Sequence, residues 1–260
     1  MFLPSRARGH AQVTATLVML VLALLGGLSA PPRAAAASAT HQVPASIVGG
    51  GGYVNSSSDE AGAYAFSVEL GDSSYLVTAR HVAPAGSVLY GPGGVIGDTE
   101  LVSKWRDTSY VRLLHARPTD QLQIGTSDRG KAERAVVTGI AARGTVDVGQ
   151  SVCHTGYSDY TQDRGGYICG QIVDVPHACR TYHVKPSCEI TMDSGGSRQV
   201  GWLGDSGGPV WQWVGPDEVR LLGVFTSVSS PDGGPPTRGH FVPAFDVLAE
   251  LGGAPVSATS

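Results

Sequence analysis

The chain has 260 residues, a formal net charge of −4 and only 15% charged residues, whereas glycine occurs 36 times. This length can form one large domain or two small ones with real cores, and many glycines with few charges favour an all-β fold. The mildly acidic balance, without a basic cluster, argues against nucleic acid or an anionic membrane as a partner.

The first 39 residues predict a secretory signal peptide. Arg6 and Arg8 form a basic start, an apolar run spans Val13–Leu28, and Ala37-Ser38-Ala39 offers a small-residue cleavage site. An uncleaved membrane anchor is the alternative, but polar and glycine residues dilute the run. Residues 40–46 would then be a short linker or propeptide, and we expect no membrane association after the signal is removed.

The first half of the mature chain predicts short strands separated by turns. These strands are Ala63–Leu70, Ser74–Thr78, Ser87–Tyr90, Tyr110–Leu114 and Ala135–Thr138. His81 follows the second strand, where a neutral imidazole can act as a general base. Asp107 precedes the strand at Tyr110 and could orient that imidazole, with Asp98 as the competing acid. Taken singly, each of these residues is as well explained by a structural or solvated role.

The second half continues the same pattern and ends in a helix. Its strand candidates are Ser151–His154, Tyr167–Val173, Pro209–Val214, Val219–Thr226 and Gly239–Val242. Strands of this length and spacing favour a barrel or sandwich over a parallel βαβ sheet. Pro243–Leu251 shows helical spacing with Gly252 as its stop, and residues 254–260 are expected to form a flexible tail.

All four cysteines, Cys153, Cys169, Cys179 and Cys188, lie in the second half. An even number in an exported chain predicts two disulfides, for which three connectivities exist. Sequential pairing, Cys153–Cys169 and Cys179–Cys188, closes two short loops. The alternative is a zinc site formed by Cys153, His154, Cys169, His177 and Cys179, although no C-x-x-C spacing is present.

The most informative segment is Gly204-Asp205-Ser206-Gly207-Gly208-Pro209-Val210. Glycines on both sides of Ser206 predict a bare, tight turn on which the hydroxyl can be approached closely. Backbone N–H groups on such a turn can stabilise a developing oxyanion.

Three motifs occur here in the order found in chymotrypsin-like serine proteases. They are Ile47-Val48-Gly49-Gly50, Thr78-Ala79-Arg80-His81 and the Ser206 segment. Within that family the chain looks most like the secreted bacterial streptogrisin branch, because Cys153-His154-Thr155-Gly156 and Cys169-Gly170-Gln171-Ile172 are similar to one of its disulfide loops. The resemblance spans residues 47 to 252.

The resemblance implies two antiparallel six-stranded Greek-key β-barrels, residues 47–135 and 136–253, with a short C-terminal helix. Ser206 would be the nucleophile, His81 the general base and Asp107 the orienting carboxylate. The N–H groups of Gly204 and Ser206 would form the oxyanion hole. We therefore expect a secreted serine endopeptidase that cleaves peptides or proteins as a monomer, without a cofactor or metal.

The family pattern also implies the substrate-binding residues Val200, Trp202, Leu203, Thr226, Ser227 and Val228. Val200 stands where an aspartate would select Lys or Arg, so we expect a mildly apolar P1 side chain. Thr226, or Ser227 in another alignment, would place a hydroxyl near the triad acid.

The chain departs from the family at several positions. Arg80 replaces a small residue and Val82 a cysteine, so the disulfide of the first barrel is absent. Thr108-Ser109 is more polar than the usual apolar pair. Activation has two alternatives: a new N-terminus at Ile47 could pair with Asp205, or an arginine could hold Asp205.

Two rival functions remain. A catalytically silent homologue would use the cleft for binding. An α/β-hydrolase esterase also fits G-x-S-x-G, with Asp232 and His240 following in its order, but it needs a helix straight after the serine.

Overall fold

The computed structural model describes residues 47–55, 58–114, 118–126, 132–180, 188–196, 198–252 and 254–255. The strands of its first half are β1 (Ile47–Gly49), β2 (Gly52–Asn55), β3 (Ala61–Leu70), β4 (Ser73–Thr78), β5 (Val88–Gly91), β6 (Gly94–Val102), β7 (Ser109–Leu113), β8 (Pro118–Thr126) and β9 (Ala132–Ile140). The second half contains β10 (Ser151–Thr155), α1 (Asp159–Gln162), β11 (Tyr167–Asp174), α2 (His177–Arg180), β12 (Ile190–Asp193), β13 (Pro209–Gly215), β14 (Glu218–Ser229), β15 (Arg238–Pro243), α3 (Ala244–Leu251) and β16 (Ala254–Pro255).

The first barrel closes through six antiparallel strands in the order β3-β2-β5-β6-β7-β4, with β4 pairing back to β3. Alternating buried side chains of these strands, among them Leu76, Leu89 and Val111, fill its interior. The sequence predicted β3, β4, β5 and β7 but not β2 or β6. Strand β6 contains Gly97, whose position leaves no room for a Cβ because the Arg112 carbonyl oxygen would lie 1.9 Å away. Glycine at a close approach between strands weakens the sequence signal for β structure.

The second barrel closes in the order β10-β11-β12-β15-β14-β13, with β13 pairing to β10 and all neighbours antiparallel. Its apolar interior includes Ile190, Val210 and Phe241. The prediction of two closed six-stranded barrels is therefore confirmed. Strand β13 follows directly after the Ser206 segment, where an α/β-hydrolase needs a helix, and this contradicts that alternative.

The hairpin β8–β9 connects the barrels. Strand β9 runs parallel to β14 of the second barrel, and β1 runs parallel to β8. Leu122 and Val137 of this hairpin belong to a buried cluster that also contains Tyr75 of the first barrel and Trp211 of the second. The expected domain boundary between residues 135 and 136 falls inside β9. One continuous core thus joins the two barrels through the hairpin.

The C-terminal segment packs helix α3 against the second barrel. Gly252 ends the helix in the left-handed conformation, with φ at 66° and its N–H donating to the Leu248 carbonyl. The chain then forms β16, which pairs with Val68 and Glu69 of β3. The first two residues of the expected tail thus pair with the first barrel, because β2 covers only the beginning of β3 and leaves the far end of that edge open to β16.

Both disulfides have the sequential connectivity. Cys153 and Cys169 face each other in the β10–β11 hairpin, and Cys179 joins Cys188 across a separation of nine residues. With all four sulfurs in disulfides, no thiolate remains to bind zinc.

The expected signal peptide, the linker at residues 40–46 and residues 256–260 lie outside the described residues. Within the described part, no helix has both the length and the apolar character needed to cross a bilayer.

Candidate active site

His81 and Asp107 form a doubly bonded pair on the first barrel. His81 Nδ1 lies 2.5 Å from Asp107 Oδ2, and the backbone N–H of His81 donates to Oδ1 at 2.9 Å. His81 sits on a single turn after β4, which the N–H of Ala83 closes by donating to the Ala79 carbonyl. Asp98 instead lies within β6, opposite Val88 and Arg112. Asp107, not Asp98, is the carboxylate that contacts His81.

The pair shifts the pKa values of both groups. The hydrogen bond from Asp107 raises the pKa of His81, against a smaller opposing effect of burial. Burial by itself would raise the pKa of Asp107, but the hydrogen bonds and charge of His81 together outweigh it and lower that pKa. His81 is 49% and Asp107 26% exposed, so the pair lies at the surface and is accessible to a substrate.

The loop carrying Asp107 is fastened at three places. Ser103 Oγ accepts the N–H groups of Trp105 and Arg106, which closes the loop locally. The same hydroxyl contacts both carboxylate oxygens of Glu250 on α3, at 2.7 and 2.9 Å. Arg80 donates to the Ser103 carbonyl at 2.8 Å. Arg80, an unusual residue before the histidine, therefore ties the Asp107 loop to the segment that carries His81.

Val82, the other departure next to His81, has a structural explanation. It is 5% exposed and belongs to the apolar cluster of the first barrel. Apolar packing of Val82, instead of a disulfide, therefore holds the segment after His81 against the first barrel.

Ser206 lies on a tight turn pinned to β14. Gly204 and Gly207 have φ values of 101° and 89°, a region that side chains disfavour. Gly207 donates to the Phe225 carbonyl at 2.7 Å, and Phe225 donates back to Gly208 at 2.8 Å. The two hydrogen bonds fix the turn against the second barrel.

The Ser206 turn also packs directly against the first barrel. A Cβ on Gly207 would lie 2.1 Å from Thr78 Oγ1 and 2.9 Å from Ala79 N, so only glycine allows this approach. The N–H of Ala63 in β3 donates to the Ser206 carbonyl at 2.9 Å. Ser206 is therefore held beside the end of β4, which leads into His81.

The side chain of Ser206 makes a bond of its own. Its Oγ donates to the Thr226 carbonyl at 3.3 Å. Among the described residues, His81 and Ser206 share no hydrogen bond. Such nucleophile–base bonds are commonly loose in structures without substrate.

Some backbone N–H groups of the Ser206 turn donate hydrogen bonds to carbonyls and others do not. The N–H groups of Asp205, Gly207 and Gly208 donate to the carbonyls of Trp202, Phe225 and Asp205. Within the described part of the chain, those of Gly204 and Ser206 have no such acceptor. These are the two donors that sequence analysis assigned to an oxyanion hole, which requires uncommitted N–H groups.

Asp205 supports the turn from inside the protein. It is fully buried, and its carboxylate accepts from Ser158 N at 2.9 Å, Thr161 Oγ1 at 2.7 Å and Trp202 N at 2.9 Å. Neither expected partner, an Ile47 amine or an arginine, is among these donors. In the uncleaved chain, Ser158 and Thr161 at the start of α1 and Trp202 supply the bonds, and Ile47 pairs with β8. A bond from an amine freed at Ile47 stays a prediction.

Val200, an expected substrate-binding residue, lies in the core of the second barrel. Val200 is fully buried, and its carbonyl accepts from His154 Nε2 at 2.5 Å, so its side chain lines no open pocket. Phe225, 1% exposed, stacks on His154 with ring centroids 4.1 Å apart. Its ring would lie 2.6 Å from a Cβ on Gly239 and 3.1 Å from one on Gly201. Phe225 thus fills the space between these glycines.

The remaining predicted binding residues differ in exposure. Trp202 and Leu203 are 50% and 85% exposed, Ser227 is exposed and Val228 is partly buried. Thr226 is buried, and its Oγ1 lies 3.1 Å from both Glu189 Oε1 and the His240 carbonyl. Among the described residues these are its hydrogen-bond partners, and the expected place of this hydroxyl near the triad acid stays a prediction.

Sequence patterns did not single out Phe225 or Glu189. Phe225 reads as an ordinary apolar residue of a buried strand, and Glu189 lies outside any motif. Only the approach of β12 and β15 to β14 places both next to the Ser206 turn.

The fold resembles those of solved bacterial proteases. Thermobifida fusca protease A is 22% identical, covers 82% of this chain and 100% of its own, and superposes with a TM-score of 0.58. Cellulomonas bogoriensis chymotrypsin has 20% identity, the same coverage and a TM-score of 0.58. Nocardiopsis protease has 19% identity, again with 82% and 100% coverage, and a TM-score of 0.59.

Two of these neighbours are named proteases and one a chymotrypsin, and the chain shares their double-barrel fold. No family model matches the chain, and no curated protein sequence does.

Proposed function

We propose that the chain is a serine endopeptidase with Ser206, His81 and Asp107 as its triad. One observation carries the proposal: the Ser206 turn packs on Thr78 and Ala79, directly before the histidine that Asp107 holds. The unused N–H groups of Gly204 and Ser206 add the donors that acyl transfer requires.

The proposed reaction starts when Ser206 Oγ exchanges its bond to Thr226 for one to His81 Nε2. Oγ attacks the peptide carbonyl carbon while His81 takes its proton, and the N–H groups of Gly204 and Ser206 stabilise the tetrahedral oxyanion. His81 then protonates the leaving amine, and the acyl-enzyme forms. Water, deprotonated by His81, releases the acid and restores Ser206. Asp107 holds the Nδ1–H tautomer and stabilises the imidazolium.

The buried position of Phe225 supports a preference for small P1 side chains. A ring already fills the space between Gly201 and Gly239, so a large apolar P1 group would meet steric repulsion. Val200 supplies no charge for a Lys or Arg. Peptide p-nitroanilides that differ only at P1 test this: alanine should be cleaved faster than phenylalanine or arginine. A faster rate with either larger residue would contradict the preference.

The three donors on Asp205 support activity without a new N-terminus at Ile47. The buried carboxylate already has bonds that order the Ser206 turn. We propose that forms retaining residues before Ile47 are active. N-terminal sequencing of active protein tests this, and activity found only in chains that begin at Ile47 would contradict it.

Secretion is part of the proposal. The predicted signal peptide and the two disulfides both fit an oxidising compartment outside the cytosol.

A second candidate is a catalytically silent homologue that binds peptides. The hydrogen bond from Ser206 to Thr226, with none to His81 in the described residues, favours it. Reaction with a fluorophosphonate, read by intact mass, separates the two candidates.

The proteins compared are the wild type, Ser206→Ala and His81→Ala, each shown to be folded by circular dichroism. One adduct on the wild type alone is expected, together with a fall in kcat for Ser206→Ala on the order of 10⁵–10⁶-fold. No adduct on folded wild-type protein would contradict the endopeptidase and favour the binding homologue.

A further inference from the structure

A cavity of about 710 Å³ lies on the second barrel, outside the triad. It is formed where α1 and the turn after it face β11 and the segment that follows β12. Tyr160, Arg164, Tyr167, Ser194, Arg198 and Gln199 are among the residues that line it.

The lining of this cavity is positive. It contains two arginines, and none of its described residues carries a carboxylate. The nearest acidic residue of the adjoining strand, Asp193, is engaged elsewhere: it accepts from the N–H of Gly195 at 2.8 Å and lies 3.8 Å from Arg238. An anionic group is therefore the complementary occupant.

Arg164 is held in place for such a contact. Its guanidinium lies 3.5 Å from the centre of the Tyr160 ring, and one Nη1–H donates to the Tyr160 carbonyl at 2.8 Å. The Tyr160 hydroxyl in turn donates to the Gln199 carbonyl at 3.1 Å. Stacking and one hydrogen bond thus hold the guanidinium on Tyr160, and no carboxylate of the described residues pairs with its other N–H groups.

Arg198 contributes a second guanidinium. Its backbone carbonyl accepts from Ser194 Oγ, which fixes the loop. Its side chain is exposed and makes no ion pair with any described carboxylate. Two arginines on one cavity, one fixed and one free, suit a carboxylate, which can accept parallel N–H bonds.

The cavity continues toward the candidate nucleophile. A second depression of about 490 Å³ shares Tyr160 and Gln199 with it and adds Asp159, Trp202 and Leu203. Leu203 precedes Ser206 by three residues and is 85% exposed. A peptide reaching from Ser206 across Leu203 and Trp202 would arrive at the arginines.

We propose that the cavity is an exosite that binds an Asp or Glu side chain of the peptide substrate, several residues away from the scissile bond. This inference rests on the proposed endopeptidase function. A basic substrate segment would be repelled by the two guanidinium groups, and a neutral one would leave them unpaired.

The test uses paired peptides that share a P1 alanine and carry Glu or Gln at one position, moved from P4 to P4′. With the wild type, the ratio of kcat/KM for the Glu and Gln peptides should rise to about tenfold at one or two neighbouring positions. The ratio should fall as salt is added, because the cavity is open to solvent. Arg164→Gln combined with Arg198→Gln should bring it to about one. Arg112→Gln, an exposed arginine of the first barrel, is the matched control and should keep the ratio.

Each outcome decides one question. Cleavage of the peptides with equal rates for Glu and Gln at every position would overturn the exosite and leave the endopeptidase intact. A Glu preference that survives in the double variant, or that lies at P1′ next to the scissile bond, would overturn it too.

No cleavage of any peptide would contradict the endopeptidase. Fluorescence anisotropy with labelled Glu and Gln peptides and Ser206→Ala protein then tests the cavity alone. Tighter binding of the Glu peptide, lost with both arginines, would support the acidic site, and equal binding would overturn it.

Discussion

The two barrels hold their parts of the candidate site in different ways. On the first, His81 and Asp107 lie at the surface and bond mainly to each other. On the second, the Ser206 turn rests on a fully buried carboxylate, Asp205, which accepts three hydrogen bonds. Changes to the surface pair should therefore affect catalysis, whereas changes below the Ser206 turn should affect folding and catalysis together.

The largest expected effect is on catalysis at the surface pair. Asp107→Asn removes the negative charge that stabilises the imidazolium and leaves the loop in place, so kcat should fall about 10⁴-fold. The melting temperature should change little, because the carboxylate is partly exposed. Steady-state kinetics and thermal melts measure both, with Asp98→Asn as the matched control that keeps kcat. A similar loss in both variants would contradict the assignment of Asp107.

The opposite behaviour is expected at Asp205. Asp205→Ala leaves three buried donors without an acceptor, and the free energy of unfolding should fall by about 3–5 kcal/mol. Activity should fall as well, because the same bonds order the turn that carries Ser206. Urea unfolding and fluorophosphonate labelling test this. A stable variant with full labelling would show that the turn does not depend on Asp205.

A substitution of Arg106 tests how much the contacts between the Asp107 loop and α3 stabilise the fold. This arginine is 5% exposed and bonds to Glu250 at 2.8 Å, with Asp246 at 3.5 Å. Arg106→Ala should cost about 3 kcal/mol, because it removes a buried charge partner from Asp246 and Glu250, which keep only Arg143 and Ser103 among the described residues. Arg112→Ala, which removes an exposed contact of 3.9 Å to Glu100, should cost less than about 0.5 kcal/mol. Equal costs in urea unfolding would contradict the difference in burial.

Removal of the Cys153–Cys169 disulfide tests the stability of the second barrel separately from its P1 preference. Replacing both cysteines by alanine should lower the free energy of unfolding by about 3 kcal/mol, because the unfolded chain gains conformational entropy without the disulfide. The P1 preference should remain, because Phe225 and Val200 pack independently of this bond. Thermal melts and the p-nitroanilide series provide the two measurements, and a changed P1 preference would contradict that independence.

The smallest expected effect is a shift of the pH profile. Asp107 raises the pKa of His81, and only neutral His81 can accept the proton from Ser206. The acidic limb of kcat/KM should thus lie above the ordinary range for histidine, and the residual activity of Asp107→Asn should show it at lower pH. The raised pKa also stabilises the folded state at low pH, and this contribution is lost as the pH rises through that pKa. A limb that does not move in the variant would contradict the coupling.

Much of the fold could be predicted because its signals are local. Apolar strands such as β3, β4 and β14, the glycines around Ser206 and the stop at Gly252 show their roles within a few residues. Strand β8 was missed because it begins with the polar run Pro118-Thr119-Asp120-Gln121. Its strand conformation is stabilised by backbone pairing with β1 and β9, which a local pattern does not show. The sequential disulfides were one of three connectivities that the sequence left open, and the structure decided between them.

For the site, the sequence by itself determined the candidate residues: Ser206 on a bare turn, His81 after a strand, and two possible acids. The tertiary structure decided that Asp107 rather than Asp98 contacts His81, that Ser158, Thr161 and Trp202 hold Asp205, and that Phe225 fills the space between Gly201 and Gly239. Such contacts join residues far apart in the chain, as Ser103 and Glu250 do across 147 positions. A local pattern records which side chains are present, but only the closure of the barrels brings distant ones within hydrogen-bonding distance.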